Sequence, residues 1–522
     1  MADEVIMQEK KPNIFVRIGR GFANFFTKSI PHFFTKSIPN FFKKLGRWFA
    51  DFGKRFVDGS IGTKLSHLIF GAGSLYHGQI IKGIIYLALQ TLFVLYMVLC
   101  PAVTGPNGVL VPTGYKSLIN LQLAGQDAHA VGDRWTPGGG IVPADSSILM
   151  LLLGLVTIAV IVLYIIVWLS SIKSSYLADT AVKEGRKPST FKEDCAALLD
   201  NRFHILMLTP TLLAALVFTI LPTIMMICIA FTTYNATEMT GVTELFHWNG
   251  FSNFASIFDS KTDSVLGIEI SKRFFPVLGW TFVWAIFATF TCYFGGILLA
   301  ILINKKGLWG KKAFRTIFIL TIAIPQFISL LVMRNLFDIN GPINSMLHGL
   351  GVSKSINFLG QDVTLDSVYP ANVHVVRIMV IVINMWLGIP YTMLMTSGIL
   401  MNIPADLYEA ARVDGTSNTK MFFKITLPYV IFITTPYLIS SFVGNINSFN
   451  TIFLLTQGYP VVTGYEAGET DLLVTWLYKL TINKGDYNTG SVIGIFTFII
   501  TATITLITYR RSKAYNEEDT FQ

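Results

Sequence analysis

Asn384, Leu387, Gly388 and Tyr391 recur at i, i+3, i+4 and i+7 of one apolar stretch, and Ser441, Gly444, Asn445 and Ser448 repeat that spacing in another. On a helix each set forms a single stripe. The groups on offer are amides, hydroxyls, a phenol ring and bare backbone, with no carboxylate and no ammonium. Facing each other, two such stripes would make an uncharged cavity suited to a neutral polyol such as a sugar, which needs hydrogen bonds and an aromatic face rather than a counter-charge. Asn, Ser and Gly also hold helices together inside membranes. Spacing alone leaves both readings open.

Between the two stripes lies a polar island, Pro404–Pro428, flanked by apolar sequence on both sides. Pro404 suits a first helical position, where its missing N–H has no intrahelical partner. Leu407, Ala410 and Ala411 then fall on one small apolar face. Asp414-Gly415 ends that helix, because glycine tolerates left-handed geometry. A second apolar run, Met421–Leu427, leads back to Pro428. The segment is expected to be a helix–turn–helix loop at a membrane surface.

Composition places the chain around that loop in a bilayer. Of its 522 residues, 52% are hydrophobic and only 14% charged, where a soluble domain carries roughly 25%. Eight apolar segments reach the ~20 residues that a spanning helix needs. They lie near 78–100, 147–170, 205–232, 275–303, 316–337, 376–399, 429–448 and 489–509. Alternate loops hold 29 of the 40 Lys and Arg residues, and the loops on the other side hold 8. This asymmetry predicts cytoplasmic N- and C-termini and puts Pro404–Pro428 in the cytoplasm. The net charge of +9 is thereby assigned to a membrane surface and not to nucleic acid.

The N-terminal region lacks the compact apolar core of a secretory signal. It carries instead a repeated octad: Phe25–His32 (FFTKSIPH), Phe33–Asn40 (FFTKSIPN) and the start of a third copy, Phe41–Trp48. Paired Phe with recurring Lys suits a segment lying on an anionic membrane surface, although a duplicated, poorly ordered tail would read the same way. Pro31 and Pro39 argue against one continuous helix there.

Enzyme chemistry has no support. No Gly-x4-Gly-Lys-Ser/Thr phosphate loop occurs, since Gly53-Lys54 and Gly310-Lys311 are each followed by a basic residue. Metal-ligand motifs are missing as well, and Cys100, Cys195, Cys228 and Cys292 are scattered without disulfide or zinc spacing. The eight segments contain no acidic residue; Lys82, Arg334 and Arg377 lie near their ends, where snorkelling is expected. Ion-coupled carriers usually need ionisable groups at membrane depth, so secondary transport is disfavoured.

Glu409-Ala410-Ala411, then Gly415 after three residues, then Ile425-Thr426-Leu427-Pro428 after nine, resembles the EAA loop of ABC importer membrane subunits. The Asn384–Tyr391, Ser441–Phe449 and Ala467–Val474 stretches are similar to the larger membrane subunit of the maltose/maltodextrin importer family. The similarity covers roughly 205–515. It implies an all-α, eight-span type I importer permease in a bacterial plasma membrane. Residues 1–77 would form an interfacial extension and 78–204 two additional spans. The six-span core would be 205–509 and the cytoplasmic tail 510–522. The resemblance further implies that Leu407, Glu409, Ala410, Ala411, Asp414 and Gly415 form a coupling helix seated on a separate ATPase. Asn384, Leu387, Gly388, Tyr391, Ser441, Gly444, Asn445 and Ser448 would line the sugar site.

The chain would need no cofactor of its own, with ATP and Mg bound by two partner ATPase subunits. A homologous second permease subunit and an external sugar-binding lipoprotein would complete the importer, with an oligosaccharide as cargo and lipid as surroundings. Gly444 replaces a bulky aromatic of the family and Ser448 an amide, which implies a wider cavity. The large insertion that the enteric maltose subunit carries between its third and fourth spans shrinks here to about forty residues. The rival readings are a permease for another neutral or phosphorylated solute, such as glycerol phosphate, and a membrane scaffold that transports nothing.

Overall fold

A computed structural model describes residues 38–104, 110–123, 134–135, 141–142, 146–235, 246–258, 265–305, 307, 309–352, 354–360, 372–461 and 465–511. The first two octads and the 510–522 tail fall almost wholly outside these residues. Among the described residues, seven helices are long and apolar enough to cross a membrane. A bent pair, Lys311–Ala323 and Gln326–Leu336, is long and apolar enough when taken together to make an eighth. The architecture is all-α; its strands are two short antiparallel pairs.

The span expected over 316–337 is sharply bent at Pro325. The two halves meet at 98°. The cause is Pro325, which has no N–H to give the ladder and pushes its predecessor out of the helical region. Ile324 accordingly takes ψ 127°, an extended conformation. Pro390 and Pro436, by contrast, lie inside unbroken helices.

The chain divides into two compact units, Met1–Cys228 with Met239–Trp248, and Ile229–Glu238 with Asn249–Gln522. In the first, α1 (Ile38–Asp58), α2 (Ile61–Leu65) and α3 (Ala72–Tyr76) precede α4 (Ile80–Leu99). After α5 (Gly114–Leu123) comes α6 (Ser147–Lys183), whose 37 residues far exceed a bilayer's thickness. Its last turns are polar and tie down the α2–α3 region. Ser175 Oγ lies 2.8 Å from Ser66 Oγ, and Ser171 Oγ accepts from Gly71 N at 2.9 Å. Asp179 accepts from Ser60 N and, at 2.9 Å, from Thr63 Oγ1, and lies 2.8 Å from His77 Nε2. The next helix, α7 (Phe191–Leu199), opens with a capping box between Thr190 and Glu193. Lys82 does not snorkel into solvent but bonds Asp194 of α7 at 2.6 Å. The unit ends in α8 (Phe203–Ile229).

In the second unit α9 (Val265–Asn304) is the organising element. It packs along α12 (Val373–Met401) and α14 (Leu427–Ile446), while α10 (Lys311–Ala323) and α11 (Gln326–Leu336) form the bent pair. The buried core joins Trp280, Trp284 and Ala288 of α9 to Val376, Val380 and Ile383 of α12. Between α12 and α14 lies α13 (Ala405–Val413), and α15 (Phe449–Leu455) and α16 (Tyr487–Arg511) complete the unit. The segment before α16, which holds a short helix, Leu473–Tyr478, and a π-helical turn, Lys479–Asn483, is fixed by a buried ion pair. Asp471 receives Lys479 Nζ at 2.7 Å, Thr475 Oγ1 at 2.9 Å and Gly468 N at 2.7 Å.

Candidate functional site

The first stripe lies on α12, and Ser441, Gly444 and Asn445 lie on α14; Ser448 falls beyond the end of α14, at the N-cap of α15, because the helix stops at Ile446. α9 engages both helices. Asn445 donates from Nδ2 to Thr289 Oγ1 at 2.9 Å, and its carbonyl accepts from Trp284 Nε1 at 3.1 Å. One turn further along α9, Cys292 Sγ receives Asn384 Nδ2 at 3.5 Å. Tyr293 Oη and Thr434 Oγ1 of α14 are 2.5 Å apart. Gly388 lets the helices approach, because a Cβ added there would sit 2.5 Å from Cys292 Sγ. Asn384 and Asn445 thus each donate from Nδ2 to α9, as residues that join helices do.

The rest of the two stripes is differently placed. Tyr391 is 52% exposed, and its ring lies 5.9 Å from that of Tyr437 on α14, tilted by 32°. Gly444 is exposed, and a Cβ added there would meet nothing within 4 Å. Leu387 and Ser441 are half-buried. Ser448 turns away to Thr451, donating to its Oγ1 at 3.0 Å. Tyr391 and Tyr437 pair across α12 and α14, and Gly444, two turns along α14 from Tyr437, borders open space. Asn384, Asn445 and Ser448 each hydrogen-bond within the chain.

Sequence reasoning found the span at 275–303 but not the contacts that α9 makes with both stripes. The signal was there: Thr281, Trp284, Thr289 and Cys292 interrupt an apolar run at helical spacing. Also missed was a charge cluster joining α9 and α12 to the loop before α16. Glu469 takes Arg273 Nη1 on Oε1 and Arg377 Nη2 on Oε2, each at 3.0 Å. The Arg377 guanidinium also stacks on the Trp280 ring at 4.5 Å, so this residue is ion-paired rather than snorkelling. A groove of about 750 Å³ opens beside Arg273, Trp280, Arg377 and Glu469.

The polar island folds as two helical pieces around a turn. Pro404 immediately precedes α13 instead of starting it. The end of α13 is a complete Schellman motif: Thr416 N donates to Ala411 O at 2.9 Å and Gly415 N to Arg412 O at 3.0 Å. That motif needs a left-handed residue, and Gly415 has φ +68°. Ser417 then caps the short helix Asn418–Met421 through Lys420 N. A π-helical turn, Phe422–Thr426, carries the chain into α14. Leu407, Glu409, Ala410, Asp414 and Gly415 are exposed, and Ala411 is half-buried. The link back to the spans is Tyr408, whose Oη lies 2.8 Å from Thr426 Oγ1 at the foot of α14. Beside it a cleft of about 470 Å³ is bounded by Ile301, Lys305, Leu400, Arg412 and Phe422.

Residues 292–513 match the family described as binding-protein-dependent transport system inner membrane component. The galactooligosaccharides transport system permease protein GanP of Bacillus subtilis (strain 168) is 32% identical over 455 residues, covering 87% of this chain and 98% of that protein. The maltodextrin transport system permease protein MalC of Streptococcus pneumoniae serotype 4 is 31% identical over 458 residues, 87% of this chain and 96% of its own. The maltose/maltodextrin transport system permease protein MalF of Escherichia coli (strain K12) is 36% identical over 270 residues, 51% of this chain and 49% of its own.

Proposed function

This chain belongs to the family of binding-protein-dependent transport inner membrane components, as a sugar permease of the maltose type, and from that premise we propose that it carries neutral oligosaccharides in an ATP-driven importer. It forms half of the translocation path, and its cargo is a chain of uncharged hexopyranose units of the maltodextrin or galactooligosaccharide class. The observation that carries this reading is the Tyr391–Tyr437 ring pair across α12 and α14, with open space at Gly444 further along α14. The rings suit sugar faces, and neither stripe carries a charge. A phosphorylated solute would call for a cation, and neither stripe has one.

The remaining roles follow from the loop. α13 is the coupling helix, offering Leu407, Glu409 and Ala410 to a groove on a separate ATPase subunit, in the cytoplasm where the Lys and Arg asymmetry puts it. Two such ATPases bind the ATP and Mg, a second permease subunit completes the path, and an external sugar-binding lipoprotein delivers the cargo. When the ATPases close, the displaced α13 pulls on α14 through Tyr408 and Thr426. The α9–α12–α14 block, cross-linked by its ladder of polar contacts, then moves as a rigid unit. Reconstitution tests the reading. Proteoliposomes holding all five components should accumulate a labelled neutral oligosaccharide only with ATP and the binding protein. A chain that assembles with its partners but moves no sugar would favour the scaffold reading.

A further inference from the structure

α1 presents two chemistries on opposite faces. Trp48, Phe49, Phe52 and Phe56 share one side, Lys44 and Arg55 flank it at the Trp48 edge, and Lys43, Arg47 and Lys54 run along the opposite face. The helix holds five basic residues against Asp51 and Asp58. Among the described residues, only part of its apolar side is covered by protein. Phe52 packs edge-on against Trp168 of α6 at 5.6 Å and against His67 at 5.2 Å, and Phe56 meets His67 at 5.1 Å. Phe49 remains 58% exposed and Val57 69%.

Two observations say what covers the rest. Trp168 closes the apolar run of α6, the level at which tryptophan marks a membrane–water boundary, so α1 is pinned at headgroup depth. Exposed apolar side chains also recur along the chain from α1 through Ile61, Leu65, Leu68 and Ile69 to Ile80, Ile81 and Ile84 at the start of the spanning helix α4. A protein partner would have to cover side chains that lead along the chain into a span. Asp179 holds this arrangement together, binding Ser60 and Thr63 at the start of α2 and His77 after α3.

We propose that residues Ile38–Tyr76 form a platform seated in the headgroup layer and selective for anionic phospholipid, with Trp48, Phe49, Phe56 and Leu68 in the acyl boundary and the α1 cations on lipid phosphates. The inference takes from the proposed orientation only which leaflet is meant, the cytoplasmic one. Amphipathic helices of this composition bind by apolar burial plus attraction to anionic headgroups.

The test is hydrogen exchange of the full chain in nanodiscs of phosphatidylcholine alone and of phosphatidylcholine with phosphatidylglycerol. In the anionic discs, amides of residues 43–57 should exchange roughly tenfold more slowly, an advantage lost at 1 M salt and in a variant with Lys43, Lys44, Arg47, Lys54 and Arg55 all changed to Gln. Phe49→Glu should raise α1 exchange in both lipids, while α6 amides stay as in the wild type. Equal α1 protection in both lipids would overturn the proposal. So would protection that arises only when the ATPase subunit is added, which would make the occupant a protein. Uptake is not the readout, so failure here leaves the importer reading standing, and failure of uptake leaves the platform standing.

Discussion

Asn445 of α14 and Thr289 of α9 are joined by a 2.9 Å hydrogen bond, and Trp284, one turn earlier on α9, takes up the carbonyl of the same asparagine. A residue whose amide and carbonyl are both engaged by a neighbouring helix sets that helix's position. Interhelical hydrogen bonds in membranes are worth about 0.6 kcal/mol on average and up to about 1.7. A double-mutant cycle of Thr289→Val and Asn445→Ala, read as thermal stability of the assembled complex, should give a coupling in that range. The coupling should be the same with and without sugar. A coupling that appears only with sugar would mean that Asn445 leaves Thr289 to bind cargo.

Coupling to the ATPase should depend on charge and on turn geometry separately. Glu409 is exposed, so Glu409→Lys should leave the chain folded and in the membrane while reversing the sign presented to the ATPase groove. Gly415→Val acts through backbone strain alone, because space around Gly415 is open but φ is +68°. Both variants should lose co-purifying ATPase and uptake. Normal co-purification and uptake in both would remove α13 from the coupling role.

Tyr408→Phe separates docking from transmission. The substitution removes one hydroxyl contact, that with Thr426, at a cost of about 1 kcal/mol. The ATPase should still bind, because the exposed face of α13 is unchanged, but fewer sugar molecules should be moved per ATP hydrolysed. An unchanged transport-to-hydrolysis ratio would show that α13 drives α14 through other contacts.

Much of this arrangement is legible in the sequence. Seven of the eight spans follow from apolar length, and the loop turn follows from Asp414-Gly415, because a Schellman end needs its glycine. What resists reading is what depends on a third partner. The stripes on α12 and α14 carry the signature of a cavity and of a helix joint at once, and the contacts of Asn384 and Asn445 with Cys292 and Thr289 become visible only once α9 is in place. The break at Pro325 fails for a related reason. Pro390 and Pro436 sit in equally apolar sequence and stay helical, so local composition does not tell a kink from a 98° turn.

The buried pair outside the spans gives a pH-dependent outcome. Burial pushes the Asp471 carboxyl above its usual range, and Lys479 pulls it back. A raised carboxyl binds protons more readily folded than unfolded, so stability falls as pH climbs through the raised value. Lys479→Met removes the counter-charge and should cost about 3–5 kcal/mol at neutral pH. Lowering the pH should restore part of that loss, because a protonated Asp471 needs no partner. Melting curves of the variant between mildly acidic and neutral pH check this, and a loss independent of pH would contradict it.

The most direct test of the account is competitive uptake in proteoliposomes containing the whole importer and internal ATP. Unlabelled maltodextrins and galactooligosaccharides of increasing length, and a uronate chain of matched length, would compete with a labelled neutral oligosaccharide. The account predicts that neutral chains compete and the uronate does not. Tyr391→Ala should weaken uptake roughly 5- to 10-fold through loss of the aromatic face. Gly444→Phe, filling the open space on α14, should penalise longer chains more than a disaccharide. Equal competition by the uronate, with the length preference unchanged in Gly444→Phe, would contradict it and put the sugar path elsewhere.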